Sequence, residues 1–417
     1  MRKAITFLHF SDIHFNKNSN SIYCLDKDVR NEMVLDIEHI VNKEQLQPYG
    51  IIVCGDIAYS GQEDEYKCAD EFIDELLSKL EIDYEHVFCV PGNHDVDQKV
   101  SNKSVPVYAV QKLLETADDN NFHKYLDMLK EQVDGEEEDI LFMPLKNYNN
   151  FSGKYMGNVS STEGPWSHEV ELNGGYKLCL YGINSTIISN ADDHKDKKVL
   201  RLMRVGKHQI PMRREKVVYM TVCHHPVDNW KEDISQVLDE RVMIQLYGHK
   251  HVQTLDNTEK RVRIGTGALQ PDRREEGWQP RYNFLSVNID NTTVEVLLYP
   301  RIWDDTKQKF VRDDEVCDAG YEYKRICLPL VNKVTIDDSN EQEAEKREVR
   351  ETSDNKRKLV YLLWGLNVSK REKVIHSFEC FENIRMSNLN SCIEKILKIA
   401  EENGLLEEII KKIEESE

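Results

Sequence analysis

The chain has 417 residues, 40% of them hydrophobic and 31% charged, with a formal net charge of -20. That is the composition of a soluble globular protein of about two to three domains, and no apolar run approaches the roughly 20 residues a membrane helix needs. The negative charge argues against broad adhesion to nucleic acid or anionic lipid, although a metal site gathers carboxylates and would account for part of it.

Met1, Arg2 and Lys3 followed by Ala4 to Phe10 could pass for a signal peptide, but His9 and Asp12 break the apolar stretch at once. We expect a buried first strand and a cytoplasmic protein. The ten cysteines form no Cys-x-x-Cys pair, which fits small core residues in a reducing compartment better than a zinc ribbon or redox motif.

Short β-branched runs then follow one another: Thr6 to Phe10, Ile51 to Cys54, Val87 to Val90, Lys177 to Ile183, Val217 to Cys223 and Val242 to Tyr247. Helical spacing separates the first of these, over Asp28 to Asn42 and over Asp64 to Leu80. Alternation of this kind predicts an α/β sheet. Residues 101–170 read as an insertion over the active face, with a helix around Val107 to Leu129 and an acidic run from Gly135 to Asp139. Arg261 to Ile264, Tyr282 to Ile289 and Thr293 to Tyr299 read as an antiparallel meander making a second sheet. The polar segment from Asp337 to Lys358 lacks apolar anchors, and residues 331–357 are expected to be a charged linker. Residues 358–417 read as short amphipathic helices, with Leu389, Ile393, Ile396, Leu397 and Ala400 on one stripe and a stop at Gly404.

Five motifs stand where strands end: Asp12-Ile13-His14, Gly55-Asp56, Gly92-Asn93-His94-Asp95, His224-His225-Pro226 and Gly248-His249-Lys250-His251. Any one alone reads as a tight turn or helix cap. Together they supply carboxylate, amide and imidazole donors from converging loops, a set that suits Mn, Fe or Zn better than Ca or Mg.

In this order the motifs resemble the calcineurin-like metallophosphoesterases, over about residues 4 to 300. The resemblance implies a four-layer sandwich, two mixed sheets packed face to face with helices outside. Residues 1–330 would form it, and a small all-α domain would follow. The resemblance also implies two divalent metal ions, Mn first with Fe or Zn as alternatives. Asp12, His14 and His251 would hold one ion; Asn93, His249 and one of the tandem histidines, His224 in preference to His225, would hold the other; Asp56 would bridge. His94 resembles the histidine that protonates the leaving group. Many relatives place an acid three residues after the bridging Asp to support that histidine, where this chain has Tyr59. Asp95 or the Tyr59 hydroxyl could take that part.

The motif spelling resembles phosphodiesterases more than phosphoprotein phosphatases. Three readings follow. One is a nuclease on DNA or RNA, with Arg201, Arg204, Lys207, Arg213, Arg214, Arg273, Arg274 and Arg281 as candidate phosphate contacts and His225 and Tyr59 near the substrate. The second is a phosphodiesterase acting on a cyclic or other small nucleotide. The third is a non-enzymatic binding module. The C-terminal helices resemble adaptor domains of bacterial conflict systems, which tilts the expectation toward an anti-phage nuclease whose tail binds a partner or a second copy of itself.

Overall fold

The computed structural model describes residues 4–21, 24–133, 139–161, 164–194, 201–270, 279–290 and 292–330, and parts of 355–414. Arg273, Arg274, residues 135–138 of the acidic run and nearly all of the linker lie outside the described residues.

The chain begins as β1 (Ile5–Phe10), α1 (Leu25–Glu44), β2 (Pro48–Val53), α2 (Glu63–Leu80) and β3 (Val87–Cys89). The three strands run parallel and neighbour one another in order. After β3 come α3 (Gln98–Lys103), α4 (Val105–Thr116), α5 (Asp119–Gln132) and α6 (Lys146–Ser152). The helix expected over Val107 to Leu129 is therefore two helices. Asp118 separates them, its side chain accepting the Asn121 N–H at 2.8 Å as the cap of α5. Leu114, Phe122 and Leu126 from these helices are buried in the same cluster as Ile187, Ile188 and Met203.

A second sheet is built from β4 (Ser167–Glu171), β5 (Lys177–Ile183), β6 (Val217–Cys223), β7 (Ile244–Tyr247), β8 (Thr254–Asn257) and β9 (Val262–Gly265), in the order β4-β5-β6-β7-β9-β8, with the short α7 (Ser235–Asp239) before β7. Within it β5, β6, β7 and β9 are parallel, and β4 and β8 are antiparallel edges.

The expected meander is corrected here. β10 (Arg281–Asp290) and β11 (Thr293–Asp304) do pair antiparallel, but β10 docks on β1. With β12 (Lys309–Arg312) and β13 (Lys324–Pro329), which sequence reading missed, they complete the first sheet, in the order β12-β11-β10-β1-β2-β3 with β13 also on β11. Only β9 of the three expected strands joins the second sheet. The reason is burial on two sides: Tyr282 and Phe284 face the helices over the first sheet, while Leu285, Val287 and Ile289 face the second sheet.

Two mixed sheets thus pack face to face, with Phe7, Ile52, Val222, Leu246 and Val296 among the residues between them. Helices cover the outside of the first sheet and α7 with its flanking loops the outside of the second. One polar tie crosses the outer layer. Arg301 on β11 grips Asp36 on α1 through Nε and Nη2 at 2.8 and 2.7 Å, and the Tyr282 hydroxyl donates to the same carboxylate at 2.6 Å. All three side chains are buried.

In the C-terminal region α8 (Val368–Ile375), α9 (Leu389–Glu402) and α10 (Leu406–Glu414) share a core of their own that includes Leu359, Leu363, Phe381, Ile396, Ala400 and Ile413. Gly404, at φ +64°, follows α9 in the left-handed conformation that ends helices. Asn355 and Lys356 already touch these helices, through Glu407 and Glu401.

Asp36→Ala leaves the Arg301 guanidinium buried without its main partner. We expect a loss of about 3–5 kcal/mol in urea unfolding, because removing one member of a buried pair strands the other's charge. Tyr282→Phe, which removes one hydrogen bond, should cost about 1 kcal/mol.

Candidate metal centre

The five motifs occupy the carboxyl ends of β1, β2, β3, β6 and β7. Strand geometry alone would carry the chain past the point where these ends meet, so the loops must reverse at once. Of nine non-glycine residues at positive φ among the described residues, five belong to the motifs: Asp12 (53°), His14 (52°), Asp56 (52°), His249 (71°) and His251 (55°). Side chains there cost energy that surrounding structure must offset, and such strain gathers at functional sites. Two glycines admit the close packing. A Cβ on Gly92 would collide with the Asp56 carboxylate, and one on Gly248 would stand 2.9 Å from Asp12 Oδ2.

The side chains converge. His14 Nε2 lies 3.3 Å from His251 Nε2 and 3.9 Å from Asp56 Oδ2. His251 Nε2 is 3.4 Å from Asp12 Oδ1. His224 Nε2 stands 3.4 Å from Asp56 Oδ2 and 3.1 Å from Asn93 Oδ1. Among the described residues, Asp12, His14 and His251 form one group whose ligand-type atoms lie within 4.8 Å of one another; Asp12, Asp56 and His224 form another, and His224, His225 and His249 a third. His14, Asp56 and His94 make a fourth.

Neighbouring groups orient these donors. The His224 Nδ1–H donates to the Cys54 carbonyl at 2.8 Å, which turns Nε2 toward Asp56. Asp12 Oδ2 accepts the His249 N–H at 3.1 Å and the Ser11 hydroxyl, while the fully buried Oδ1 has no hydrogen bond. His225 is turned differently: its Nδ1 lies 2.8 Å from the Ser185 hydroxyl, and its ring is 4.4 Å from that of His249. Sequence reading did not single out Ser185. Its place just beyond β5, on the polar stretch Asn184-Ser185-Thr186, is the same strand-end signal that marked the motifs.

Electrostatics prepare the site for cations. Burial would raise Asp56, but the His224, His94 and His14 imidazoles hold it well below the usual carboxylate range. Burial likewise opposes Asp12, and His251 and His224 hold it low. Burial pushes His14 and His249 down to about 4, leaving them neutral. His224 is opposite: burial lowers it, yet the Asp56 charge and hydrogen bond, with Asp12, raise it to about 9. Ionised carboxylates facing the neutral His14 and His249 imidazoles, a His224 ring on which the same carboxylates hold a proton that a cation would replace, and a buried carboxylate oxygen without a donor fit divalent cations.

The group that holds His94 is neither of the two expected. His94 Nδ1 lies 2.8 Å from the backbone carbonyl of Tyr59, so the supporting group is the Tyr59 carbonyl. Neither the Tyr59 hydroxyl nor the Asp95 carboxylate supplies that contact, because Asp95 is bound elsewhere: it accepts from Ile57 N at 3.2 Å, Ala58 N at 2.9 Å, Gly92 N at 2.8 Å and the Tyr66 hydroxyl at 3.0 Å. It ties the Asp56 loop to the Asn93 loop. Burial and the Asp56 charge push it up to about 6 against these donors. Tyr59 itself is 58% exposed, its ring 5.6 Å from that of His94.

A family model described as calcineurin-like phosphoesterase matches residues 5–253, more than half of the chain. The chain belongs to the calcineurin-like phosphoesterases. Membership makes it a metal-dependent phosphoesterase, and the clusters above suit the family's dinuclear site. No curated protein matches the chain. Solved structures similar to it include a single mutant of Vps29 from Entamoeba histolytica, at 11% identity and TM-score 0.31 over 78% of this chain and 99% of that one. A putative 5'-nucleotidase from Staphylococcus aureus is 12% identical with TM-score 0.35, covering 84% of this chain and 58% of that one. A novel archaeal phosphodiesterase is 11% identical with TM-score 0.26, over 78% and 100%. At such distances these likenesses carry no argument about function.

The described arginines expected to meet phosphates in this calcineurin-like chain pair with acids instead, and Arg273 and Arg274 lie outside the described residues. Arg201 pairs with Glu115 and Asp193, Arg204 with Glu232 and Asp119, Arg213 with Glu240, Arg214 with Glu169 and Arg281 with Asp313. Lys207 is exposed.

Elemental analysis of the purified protein should find about two transition-metal ions per chain, as a shared-ligand pair of sites requires. Asp56→Ala should lose most of this metal, whereas His94→Ala should keep it. Metal-free protein that takes up no added Mn would refute the centre.

Proposed function

We propose that the chain hydrolyses phosphodiesters with two divalent metal ions, Mn first, with Fe or Zn as alternatives. Asp12, His14 and His251 would hold one ion and Asn93, His224 and His249 the other, with Asp56 available to both. The observation that carries this reading is the meeting of Nε2 atoms from His14, His251 and His224 around the two buried carboxylates. His224 is assigned over His225 because its Nε2 faces Asp56 and Asn93, whereas His225 is held by Ser185.

When bound, such a pair of ions supplies a nucleophile from water at neutral pH and neutralises charge on the phosphate oxygens. The protein's own contribution is the proton for the leaving group. Because the Tyr59 carbonyl only accepts, His94 Nδ1 keeps its hydrogen as donor. The proton that moves is therefore on Nε2, and an imidazolium at His94 gives it to the departing alkoxide and ends as the neutral Nδ1–H tautomer. Asp95 positions this apparatus by fixing the two loops.

Of the substrate classes, a small phosphodiester is favoured over DNA or RNA. The protein carries a net charge of -20, and five of the arginines a nucleic-acid track would use are bound to acids. A digestion panel with Mn tests this: linear and circular DNA, RNA, cyclic nucleotides and a chromogenic diester, each against Asp56→Asn. Cleavage of nucleic acid far faster than of small diesters would restore the nuclease reading and, with it, a place in anti-phage defence.

His94→Ala should lose about 10²–10⁴-fold in turnover on diesters with alkoxide leaving groups, the usual worth of a general acid. A nitrophenolate leaving group needs little protonation and should suffer much less. Equal losses on both would assign His94 to positioning.

The tail is proposed as an adaptor that associates with a partner protein or with a second copy. Its helices bury a core of their own, and a bundle of that size is marginal alone. Deleting residues from 338 onward should leave diesterase activity unchanged and remove the association seen by light scattering. A truncated chain that keeps its oligomeric state and loses activity would place the tail within the catalytic unit.

A further inference from the structure

The metal centre is closed at its back and open toward His14, His94 and His251. Asp12, Asp56, Asn93 and His224 are buried, whereas the His14 and His251 side chains keep 12% and 25% of their surface and His94 is half-buried. A phosphodiester therefore arrives across these three imidazoles. Tyr59 stands on the same side. Its ring centroid lies 5.6 Å from that of His94 and 6.3 Å from that of His14, and the two imidazoles are 4.6 Å apart. Tyr84 and Tyr321 are exposed to a similar degree, and single exposed aromatics are ordinary. What distinguishes Tyr59 is that its ring borders the proposed proton donor and a metal-site histidine together.

The backbone that carries this ring is fixed. The Tyr59 N–H donates to the Phe15 carbonyl at 2.9 Å, and the Ala58 and Ser60 N–H groups donate to Asp95 Oδ1 and Glu65 Oε2, each at 2.9 Å. Gly61 then turns the chain at φ +69°, where a Cβ would stand 2.6 Å from the Asp95 carbonyl oxygen. The side chain is treated in the opposite way. It is 58% exposed, and its hydroxyl has no hydrogen bond among the described residues. The His14 ring meets it edge-on at 75° and the His94 ring at 41°. So large an aromatic surface left in water forgoes the stabilisation that covering it would give. A rigid loop also loses little further freedom when a ligand covers it.

In the phosphodiesterase reading above, on which this inference rests, His94 gives its proton to the departing alkoxide. The part of the substrate beside His94 is then the leaving alcohol. We infer that Tyr59 selects that leaving group: the departing alcohol carries an aromatic ring close to its ester oxygen, and the ring packs on the exposed face of Tyr59. One residue thus serves the leaving group twice, its carbonyl holding His94 Nδ1 and its side chain receiving what His94 protonates. Aromatic pairs gain more than the burial of their area alone, so a flat unsaturated ring is preferred to a saturated ring of the same size.

The test uses the full-length, Mn-loaded protein and two diesters, benzyl methyl phosphate and cyclohexylmethyl methyl phosphate, read by release of the ring-bearing alcohol. Both leaving groups are primary alcohols on a six-membered ring, one flat and one puckered. The benzyl ester should be preferred by about ten-fold in kcat/KM, the scale of stacking on one aromatic side chain. In Tyr59→Leu the ratio of the two esters should fall to within about two-fold, mainly through a rise in KM for the benzyl ester. Tyr59→Phe should keep the ratio, and both variants should keep the parent's metal content. Both also retain the carbonyl that holds His94. No preference in the parent protein, a preference lost in Tyr59→Phe, or one that survives Tyr59→Leu would overturn the platform; equal losses on both esters would assign the ring to the support of His94. Metal lost from Tyr59→Leu would overturn it too, by making the phenol a ligand. If neither ester is cleaved, calorimetric titration with benzyl methyl phosphate decides: binding weakened in Tyr59→Leu supports the platform, and no binding, or equal binding by both proteins, overturns it. The phosphodiesterase reading stands or falls separately, on the chromogenic diester of the digestion panel.

Discussion

The structure depends on keeping the Asp56 carboxylate ionised while only 2% of it is exposed. Burying a carboxylate costs several kcal/mol unless its surroundings replace the lost water. Here the His94 N–H donates to Oδ1 at 2.8 Å and the His224 and His14 imidazoles face Oδ2. No single strand could bring these groups together. The His94 donor comes from the end of β3, His14 from the end of β1 in the same sheet, and His224 from β6 in the other. The face-to-face packing of the sheets is thus what makes the buried charge tolerable, and the charge in turn demands cations at the seam. The left-handed backbone at Asp12, His14, His249 and His251 follows from the same demand, since each loop must turn back sharply for its side chain to reach the seam.

Two tiers of hydrogen bonding hold that seam. Nearest the carboxylates, Ser11 and the Cys54 carbonyl fix Asp12 and His224. Behind them, Asp95 gathers three backbone N–H groups and the Tyr66 hydroxyl, which locks the β2 and β3 loops against each other. An acid next to the presumed proton donor invites reading as its helper. The structure gives Asp95 the loops to hold and gives His94 a backbone carbonyl, a partner no side-chain motif can spell.

That difference marks what the sequence made legible. The motif residues could be found because each follows an apolar run, and a strand's end is written in its own few residues; β5 and β6 were bounded without error at Lys177, Ile183, Val217 and Cys223. The α/β class followed from the same alternation, and the four-layer sandwich from the family resemblance. What failed was information carried by distant parts of the chain. The β10 and β11 hairpin was visible as a hairpin, but its choice of β1 as neighbour depends on faces buried by α1 and by the second sheet, and nothing within residues 281–304 names them. The acid partners of the described arginines were missed for the same reason: Arg201 and Glu115 are 86 residues apart in the chain.

Those arginine pairs change how the insertion is to be understood. Arg201 joins Glu115 of α4 to Asp193 and Asn190 in the stretch after β5, and Arg204 reaches the Ala117 carbonyl while its guanidinium lies 4.2 Å over the Phe122 ring. Glu232 closes the set from the far side of β6 at 2.9 Å. Exposed ion pairs contribute little, but Arg204 and Glu232 are buried, and losing either would strand the other's charge. Charges that could have formed a phosphate track instead fasten α4 and α5 to the stretch that follows Ser185. The insertion is therefore tied down by Arg201, through Glu115, and by Arg204, through the Ala117 carbonyl and the Phe122 ring, with the buried Arg204–Glu232 pair holding the second of these in place.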